Sequence, residues 1–382
     1  MKRNPYYALE MINGIPYLLP FGQNIAEQKA SFQLNETGVF LWNHLDEAET
    51  ERQLLDILLN DESPDSGETA GTRRELADFI NMLVRAQVIL RDEDTEYQRG
   101  SSVKIAGITV TFSGLDYAVP KTFDAFRTFS PSETDLSVAI ITGTGGVESG
   151  ERIVIHSKEL NVYERNDRWH LDFPAFDNIA AAYINKELTD AKILVRYEDE
   201  KSRLRENVFH VLRHLFLLKA QSFGLFAMHS ASVLYRGQAY LFSGSGGAGK
   251  GTFARLWNET FGTEVLNGDL NLLSDEGVVC GIPWCGTSGR YTAKDYPLGG
   301  IIFLKQAEQD HAELLEGHHK SLRIAQRLIS PAYSQEQLEE NIGFAVNLAK
   351  RIPCWRLQCT MNRSSAEIMR DAIDRIRNRS LL

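Results

Sequence analysis

Residues 241–257 read LFSGSGGAGKGTFARLW. An apolar, strand-like run, AYLFSG, leads into a glycine-rich turn. A helix-like run, KGTFARLWNETFG, leaves it with Phe253, Leu256, Trp257 and Phe261 on one side. A phosphate-binding loop needs this strand–loop–helix context. Small residues let backbone N–H groups turn inward onto phosphate oxygens, and the helix N-terminus adds partial positive charge. The usual spacing is Gly, four residues, Gly, Lys, then Ser or Thr. Gly244, Gly249 and Lys250 fit it, whereas Gly251 stands at the hydroxyl position and Thr252 follows one place late. The stretch commits the later part of the chain to an α/β region built around such a loop.

Gly244, Ser245, Gly246, Gly247, Ala248, Gly249, Lys250, Gly251 and Thr252 are therefore the residues expected to hold ATP or another nucleoside triphosphate, with Lys250 bridging the outer phosphates. Mg²⁺ readily keeps several waters, so Gly251 alone does not disable the loop. The expected metal contacts are Thr252, on the first helical turn, and Asp269, in EVLNGDL, 19 residues after Lys250. A carboxylate ending an adjacent strand suits a metal ligand or a base, although Asn-Gly-Asp is also good turn chemistry. The string Gly-Lys-Gly-Thr resembles the loop of adenylate kinases, which make the same departure. His229, in FAMHSAS, precedes the lysine by 21 residues and taken alone reads as a structural strand histidine.

The chain of 382 residues divides by character into three regions. Residues 1–98 read as a small winged-helix-like domain. Two short strands flank the hairpin dipeptide Asn13-Gly14, ASFQLN is a third strand, and Asn35 is an N-cap candidate for the helix ETGVFLWNHL, whose Val39, Trp42 and Leu45 share a face. Further helices are expected over ETERQLLDILL and TRRELADFINMLVRAQVIL, the latter ending in a short strand, around a polar loop at 60–71. Residues 99–202 alternate as strands do, in VKIAGITVTFSG, RIVIHSKELNVYER and RWHLDFP, and form a β-rich region whose His156 and His170 read as ordinary strand histidines. Residues 203–382 alternate helix and strand, which predicts a mainly parallel or mixed sheet covered by helices.

A formal net charge of −10 argues against a nucleic-acid partner, which calls for a basic face. No run reaches the roughly 18 apolar residues of a membrane helix, and the first residues carry no signal-peptide pattern, so a cytoplasmic protein is expected. The cysteines, Cys280, Cys285, Cys354 and Cys359, are spaced five apart within each pair. That offset turns strand side chains to opposite faces, so plain buried thiols are favoured over a zinc site. No stretch reads as a base-recognition motif, so the choice between ATP, GTP and another donor stays open.

Over roughly residues 203–305, MHSASVLYRGQAYLFSGSGGAGKGT and LNGD resemble the HPr kinase/phosphorylase superfamily, serine kinases whose core is similar to phosphoenolpyruvate carboxykinase. The resemblance implies a P-loop α/β kinase domain of HPr kinase-like type and puts His229, Lys250 and Asp269 on active-site positions. Asp269 falls on the second aspartate of the family's pair, Gly268 replaces the first, and Gly251 replaces the hydroxyl. Arg290, in CGTSGRY, is a candidate partner for the transferred phosphoryl group, with a plain surface arginine as the competing reading. GIPWCG and IPCWRLQCT resemble a branch of these kinases associated with modified-peptide gene clusters. The family also implies a homo-oligomer.

The first ninety-odd residues, through FQLNETGVFLWNHL, resemble the PqqD-like domain. That resemblance implies capture of a leader peptide by strand addition beside the third strand, at about Ala30, Ser31, Phe32, Gln33 and Leu34, while Trp42 and Leu45 read as core. Together these features point to an ATP-dependent peptide or protein kinase acting on a Ser or Thr hydroxyl. Two alternatives stay open. One is a nucleotide-binding peptide chaperone whose kinase-like domain is inactive. The other is a small-molecule kinase or carboxykinase-like lyase.

Overall fold

The computed structural model describes residues 2–4, 7–21, 30–47, 57, 83, 88–90, 99–128, 133–145, 150–196 and 201–379. The helix expected over ETERQLLDILL and the polar loop at 60–71 lie, apart from residue 57, outside the described residues. So does the helix expected over TRRELADFINMLVRAQVIL, apart from residues 83 and 88–90.

In the N-terminal part, β1 (Lys2–Arg3) pairs with β5 (Ile89–Leu90), and β2 (Tyr7–Ile12), β3 (Ile15–Pro20) and β4 (Phe32–Gln33) form an antiparallel sheet in that order. Asn13 and Gly14 both take positive φ, as a two-residue hairpin turn requires. Asn35 caps α1 (Glu36–His44), its side chain accepting from the Gly38 N–H at 2.8 Å. Leu18, Leu34, Leu41, Trp42, Leu45, Leu83 and Ile89 make a core of their own.

The middle region is one nine-stranded sheet. Its strands are β6 (Arg99–Ile105), β7 (Ile108–Gly114), β8 (Arg127–Thr128), β9 (Leu136–Thr142), β10 (Arg152–His156), β11 (Asn161–Glu164), β12 (Arg168–Asp172), β13 (Ile179–Asn185) and β14 (Asp190–Val195). They run in the order β10-β11-β12-β13-β14-β9-β7-β6-β8, with β9 parallel to both neighbours. The strand-like stretch VKIAGITVTFSG is the hairpin β6–β7, turning at Ala106 and Gly107, both at positive φ. Alanine is a poor left-handed residue, so the turn carried little sequence signal.

α2 (Lys201–Gln221) lies against this sheet through Leu204, Val208, Val211, Leu212 and Leu215. The same core continues into Leu225, Ala227, Leu270, Leu272, Ile282 and Trp284, so the middle sheet and the following region share one hydrophobic interior. Trp284 joins them: its indole N–H donates to the Phe209 carbonyl at 2.9 Å, and Phe123, Phe209 and Phe216 surround its rings.

The last region contains β15 (Leu225–Tyr235), β16 (Gln238–Ser243), α3 (Lys250–Phe261), β17 (Glu264–Asn267), β18 (Leu270–Ser274), β19 (Val278–Cys280), β20 (Tyr296–Gln306), β21 (His311–Leu314), α4 (His318–Ala325), α5 (Gln335–Arg351), β22 (Cys354–Cys359) and α6 (Arg363–Arg379). The sheet is mixed. β16, β20 and β22 are parallel neighbours, and the other pairings are antiparallel. β15 pairs along one edge with β18 at Leu225–His229 and then with β17 at Ser232–Leu234, and takes β16 on its other edge at Ser230–Tyr235. β20 does likewise, pairing with β19 at Tyr296–Pro297 and with β16 and β22 beyond. α3 packs Phe253, Ala254 and Trp257 on one face of the sheet, together with Met369 and Ile373 of α6. Phe344, Ala345 and Leu348 of α5 cover a second cluster with Phe226, Met228, Ile301 and Phe303.

Candidate functional site

The arrival of β16 on the second edge of β15 creates the site. His229 is the last residue paired with β18, opposite Leu270, and Ser230 is the first paired with β16, opposite Ser243. Leu270 follows Asp269, and Ser243 ends the strand that feeds the glycine-rich loop. One register therefore sets His229 beside Asp269 and both beside the loop. His229 Nε2 lies 3.2 Å from Asp269 Oδ1, and both side chains keep about 39% of their surface exposed.

Buried polar groups hold this corner rigid. The Ser230 N–H donates to the Asp269 carbonyl at 2.9 Å, and the Ser243 hydroxyl donates to the His229 carbonyl at 2.8 Å. Asn271 Nδ2 donates to the Ser230 carbonyl at 2.6 Å, and its Oδ1 accepts from the Ser232 hydroxyl. Asn267 Oδ1 takes the N–H groups of Asp269 and Leu270, and its Nδ2 donates to the Trp284 carbonyl. Satisfied networks of this kind fix a geometry that a lone pair of surface side chains would not keep.

The loop sits where the sequence puts it, between β16 and α3. Ser245, Gly246 and Gly247 form its exposed crest, while Gly244 and Ala248 are buried beneath. Gly249 is the N-cap of α3 at φ 85°, a left-handed conformation, and a Cβ there would sit 2.6 Å from Met361 Cε, so only glycine fits. The first helical bond runs from the Phe253 N–H to the Gly249 carbonyl, which leaves the amides of Lys250, Gly251 and Thr252 without an intrahelical acceptor. Lys250 is buried and donates to the Ser245 carbonyl at 3.3 Å. Burial pulls its pKa below the ordinary lysine value, the Asp269 charge opposes that shift, and Arg327 adds to it.

Asp269 is held below the ordinary carboxylate value. The His229 hydrogen bond is the largest cause, the charges of His229, Arg213 and Lys250 assist, and burial opposes. Two cations here went unread in the sequence. Arg213, on α2, is partly buried and its pKa is pulled down by desolvation, with Asp269 and Glu159 pulling it back up. Arg327 follows α4, and its carbonyl accepts the His229 N–H at 3.0 Å. Among the described residues neither forms a salt bridge. The lone arginine inside the apolar run VFHVLRHLFLL was the only hint of Arg213; Arg327 had none. Lys250 and Arg213 act on the Asp269 carboxylate and Arg327 acts on Lys250, which together make a basin suited to a polyphosphate.

The two glycine departures are adjoining. A Cβ on Gly251 would point at the Gly268 carbonyl, 3.9 Å away in open contact. At Gly268 a Cβ would fall 2.1 Å from Ser288 Oγ, so Ser288 fills the space of any side chain there. The Ser288 hydroxyl donates to the Cys285 carbonyl at 2.7 Å. The oxygen donors near the loop are thus the Asp269 carboxylate and the Thr252 hydroxyl, which is exposed on the first turn of α3. Among the described residues no three His, Cys, Asp or Glu side chains gather as a metal cage. This donor set fits a Mg²⁺ bound largely through phosphates and water, as that ion prefers.

Arg290 is exposed, next to Ser288, and takes no part in the His229–Asp269 contact. His156 bonds Asn161, and His170 lies buried against Glu151 at 2.9 Å; both are in the middle sheet, away from the loop. All four cysteines are buried free thiols, with Cys280 and Cys354 pushed by burial up to about 12. Among the described residues no helix is long and apolar enough to cross a membrane.

At the other end of the chain, β4 pairs on one side with β3, through Tyr17 opposite Gln33 and Leu18 opposite Phe32, and ends its sheet. Ala30, Ser31 and Gln33 are exposed, Phe32 is half-buried and Leu34 is buried. The Tyr7 hydroxyl donates to the Ala30 carbonyl at 3.1 Å, and the Leu34 N–H donates to the Pro16 carbonyl at 2.9 Å. Those contacts pin both ends of the strand and leave its outer edge unpaired among the described residues.

Residues 25–89 match the family described as coenzyme PQQ synthesis protein D (PqqD). The match covers the β4 edge and α1 and stops before the middle sheet. No curated protein matches the chain.

Proposed function

We propose that the chain is an ATP-dependent kinase of a peptide, with the PqqD-like segment holding the peptide's leader on the β4 edge while the loop region phosphorylates a Ser or Thr. The observation that carries the kinase reading is the His229–Asp269 pair, 3.2 Å apart, set by strand register beside a buried Lys250 at a helix N-terminus. The peptide reading rests on the PqqD match and on the pinned strand edge at Ala30–Leu34.

In this reading the loop amides and Lys250 bind the β- and γ-phosphates, and Arg213 and Arg327 add positive charge around the transferred group. The acceptor hydroxyl oxygen bonds to the γ-phosphorus, the bond from that phosphorus to the bridging oxygen breaks, and ADP leaves. The hydroxyl proton passes to the Asp269 carboxylate, which His229 orients. Because its pKa is depressed, Asp269 is ionised throughout the neutral range. Mg²⁺ supplies charge neutralisation on the phosphates when bound. Asp269 and Thr252 would hold it.

A second reading has its own observation. Ser288 occupies the space of a Gly268 side chain, so a second carboxylate has no room at that position. A domain that binds nucleotide and peptide without transfer would look like this.

One experiment separates them. The protein is incubated with Mg²⁺ and ATP, alone and with precursor peptides encoded beside its gene, and intact masses are read. A gain of one phosphate on a peptide, lost in Lys250→Ala and Asp269→Asn, is the expected result. Binding of both ligands with no mass change on any peptide favours the non-transferring reading. Absence of both binding and transfer overturns both.

A further inference from the structure

The loop has two flanks, and neighbouring residues look toward each. Gly251 faces the Gly268 carbonyl, on the side of Asp269 and His229. Gly249 faces the other way, onto the Met361 thioether, with its absent Cβ 2.6 Å from Met361 Cε and 3.5 Å from Met361 Sδ. Gln306 stands on that second flank too, its Nε2 reaching the Gly247 carbonyl at 3.5 Å.

Strand topology puts those two side chains there. β16, β20 and β22 run parallel, with Ser243 beside Phe303 and Gln306 beside Cys359, so all three strands finish at one edge of the sheet. Ligands of parallel α/β sheets bind beyond that edge. The loop leaves β16 there, Gln306 ends β20, and Met361 lies just past β22.

The Met361 segment is fixed. Asp310 accepts from the Thr360 N–H at 2.7 Å and from the hydroxyls of Ser364 at 2.6 Å and Ser365 at 2.5 Å. Met361 itself sits at φ 63°, a conformation that a side chain adopts rarely. The cage of bonds around Asp310 holds it there. Met361 is half-buried while Gln306 is exposed, so one offers an apolar platform and the other a solvent-accessible amide.

A nucleotide laid across the loop has two ends. Its outermost phosphate must reach the Asp269 flank, where the acceptor is activated, so its nucleoside leaves over the opposite flank. We infer that the base of the donor nucleotide packs on the Met361 thioether and pairs its edge with the Gln306 amide. This rests on the kinase reading of the loop and adds where and by what the base is recognised. A thioether against an aromatic base is a favourable contact, and a glutamine amide, with its paired donor and acceptor, matches the edge of a purine, adenine above all.

The test compares ATP with inorganic tripolyphosphate, which has the phosphates and no base, by calorimetric titration of the full chain. In Met361→Ala and Gln306→Ala the ATP dissociation constant should rise about five- to tenfold, while that of tripolyphosphate stays within about twofold. Gln306→Ala should also narrow the gap between ATP and GTP. Gln306 is exposed and its removal leaves no core cavity, so it keeps the test valid if Met361→Ala unfolds, which thermal melting would report. Equal losses for ATP and tripolyphosphate, or no loss for either, overturn the base assignment alone. If the unaltered protein binds neither compound, the loop reading fails and the base assignment with it.

Discussion

Among the described residues two histidine–carboxylate pairs have nearly the same length and opposite surroundings. His170 and Glu151 meet at 2.9 Å with 2% and 0% of their side-chain surface exposed, between the rings of Tyr163 and Tyr183. His229 and Asp269 meet at 3.2 Å with 39% exposed on each, at the mouth of a glycine-rich loop. Contact geometry alone would not tell them apart. Access does: the first pair is sealed in a sheet and can only hold structure, and the second is open to a ligand and supported from below by Asn267, Asn271 and Ser243. A short His–carboxylate distance becomes a functional signal only when a path leads to it.

The largest expected effects come from breaking each pair in turn. Asp269→Asn should lower phosphate transfer by about 10²–10³-fold and leave the thermal midpoint nearly unchanged. Transfer at the original rate in that variant would reduce Asp269 to a turn residue. His170→Ala should do the reverse. It removes the hydrogen-bonding partner of Glu151 Oε2 and leaves the carboxylate with Arg168 at 3.8 Å, at a cost of about 1–3 kcal/mol in urea unfolding, while transfer per folded molecule stays the same. A loss of transfer in folded His170→Ala protein would break the contrast between the pairs.

A third histidine sharpens it. His214, on α2 against the Phe173 ring, is half-buried, and no carboxylate among the described residues pairs with it. Burial, with Arg213 and His210 assisting, pulls it from 6.5 down to about 3. Its neutral form favours the fold, so its contribution is complete above pH 6.5 and drains away as pH falls toward 3. Between pH 7.5 and pH 5 this amounts to about 2 kcal/mol, which urea melts at the two values would show and His214→Phe would remove. Asp269 has the same sign, contributing above the ordinary carboxylate range and losing that as pH falls through its depressed value. The smallest effect is expected far from either pair: Asn35→Ala, which removes the cap of α1, should cost about 1 kcal/mol in the same measurement and leave phosphate transfer on a leaderless peptide untouched.

What the sequence showed of this fold was local. The strand, glycine turn and helix around Lys250 lie in one contiguous stretch and obey short-range rules, as do the Asn35 cap and the Asn13-Gly14 turn. The meeting of His229 with Asp269 could not be read that way, because it depends on β15 keeping β18 and then β17 along one edge while β16 joins its other edge from Ser230 onward. The resemblance to a kinase family supplied the pairing of roles, not the register that produces it. Arg213 and Arg327 reach the site from a helix and a connection whose sequences advertise nothing. Ser288 in the space beside Gly268 is a packing fact without a motif. The strands β18, β19 and β21 went unread because they are only three to five residues long and lack clean alternation.

The separate hydrophobic interiors carry a consequence for how such a chain can be rebuilt. The cluster of Leu18, Leu34, Leu41, Trp42, Leu45, Leu83 and Ile89 closes on itself, whereas the interior that begins at Val103 runs without a break through α2 into Trp284 and Tyr333. Cutting near residue 202 would open a continuous core, and both halves would come out of an expression host as aggregate. Among the described residues, joining near residue 98 severs no such core. On the proposed reading the head is then an exchangeable cartridge, and recombination at that one seam, in a genome or at the bench, would give the body that follows it a new address to read.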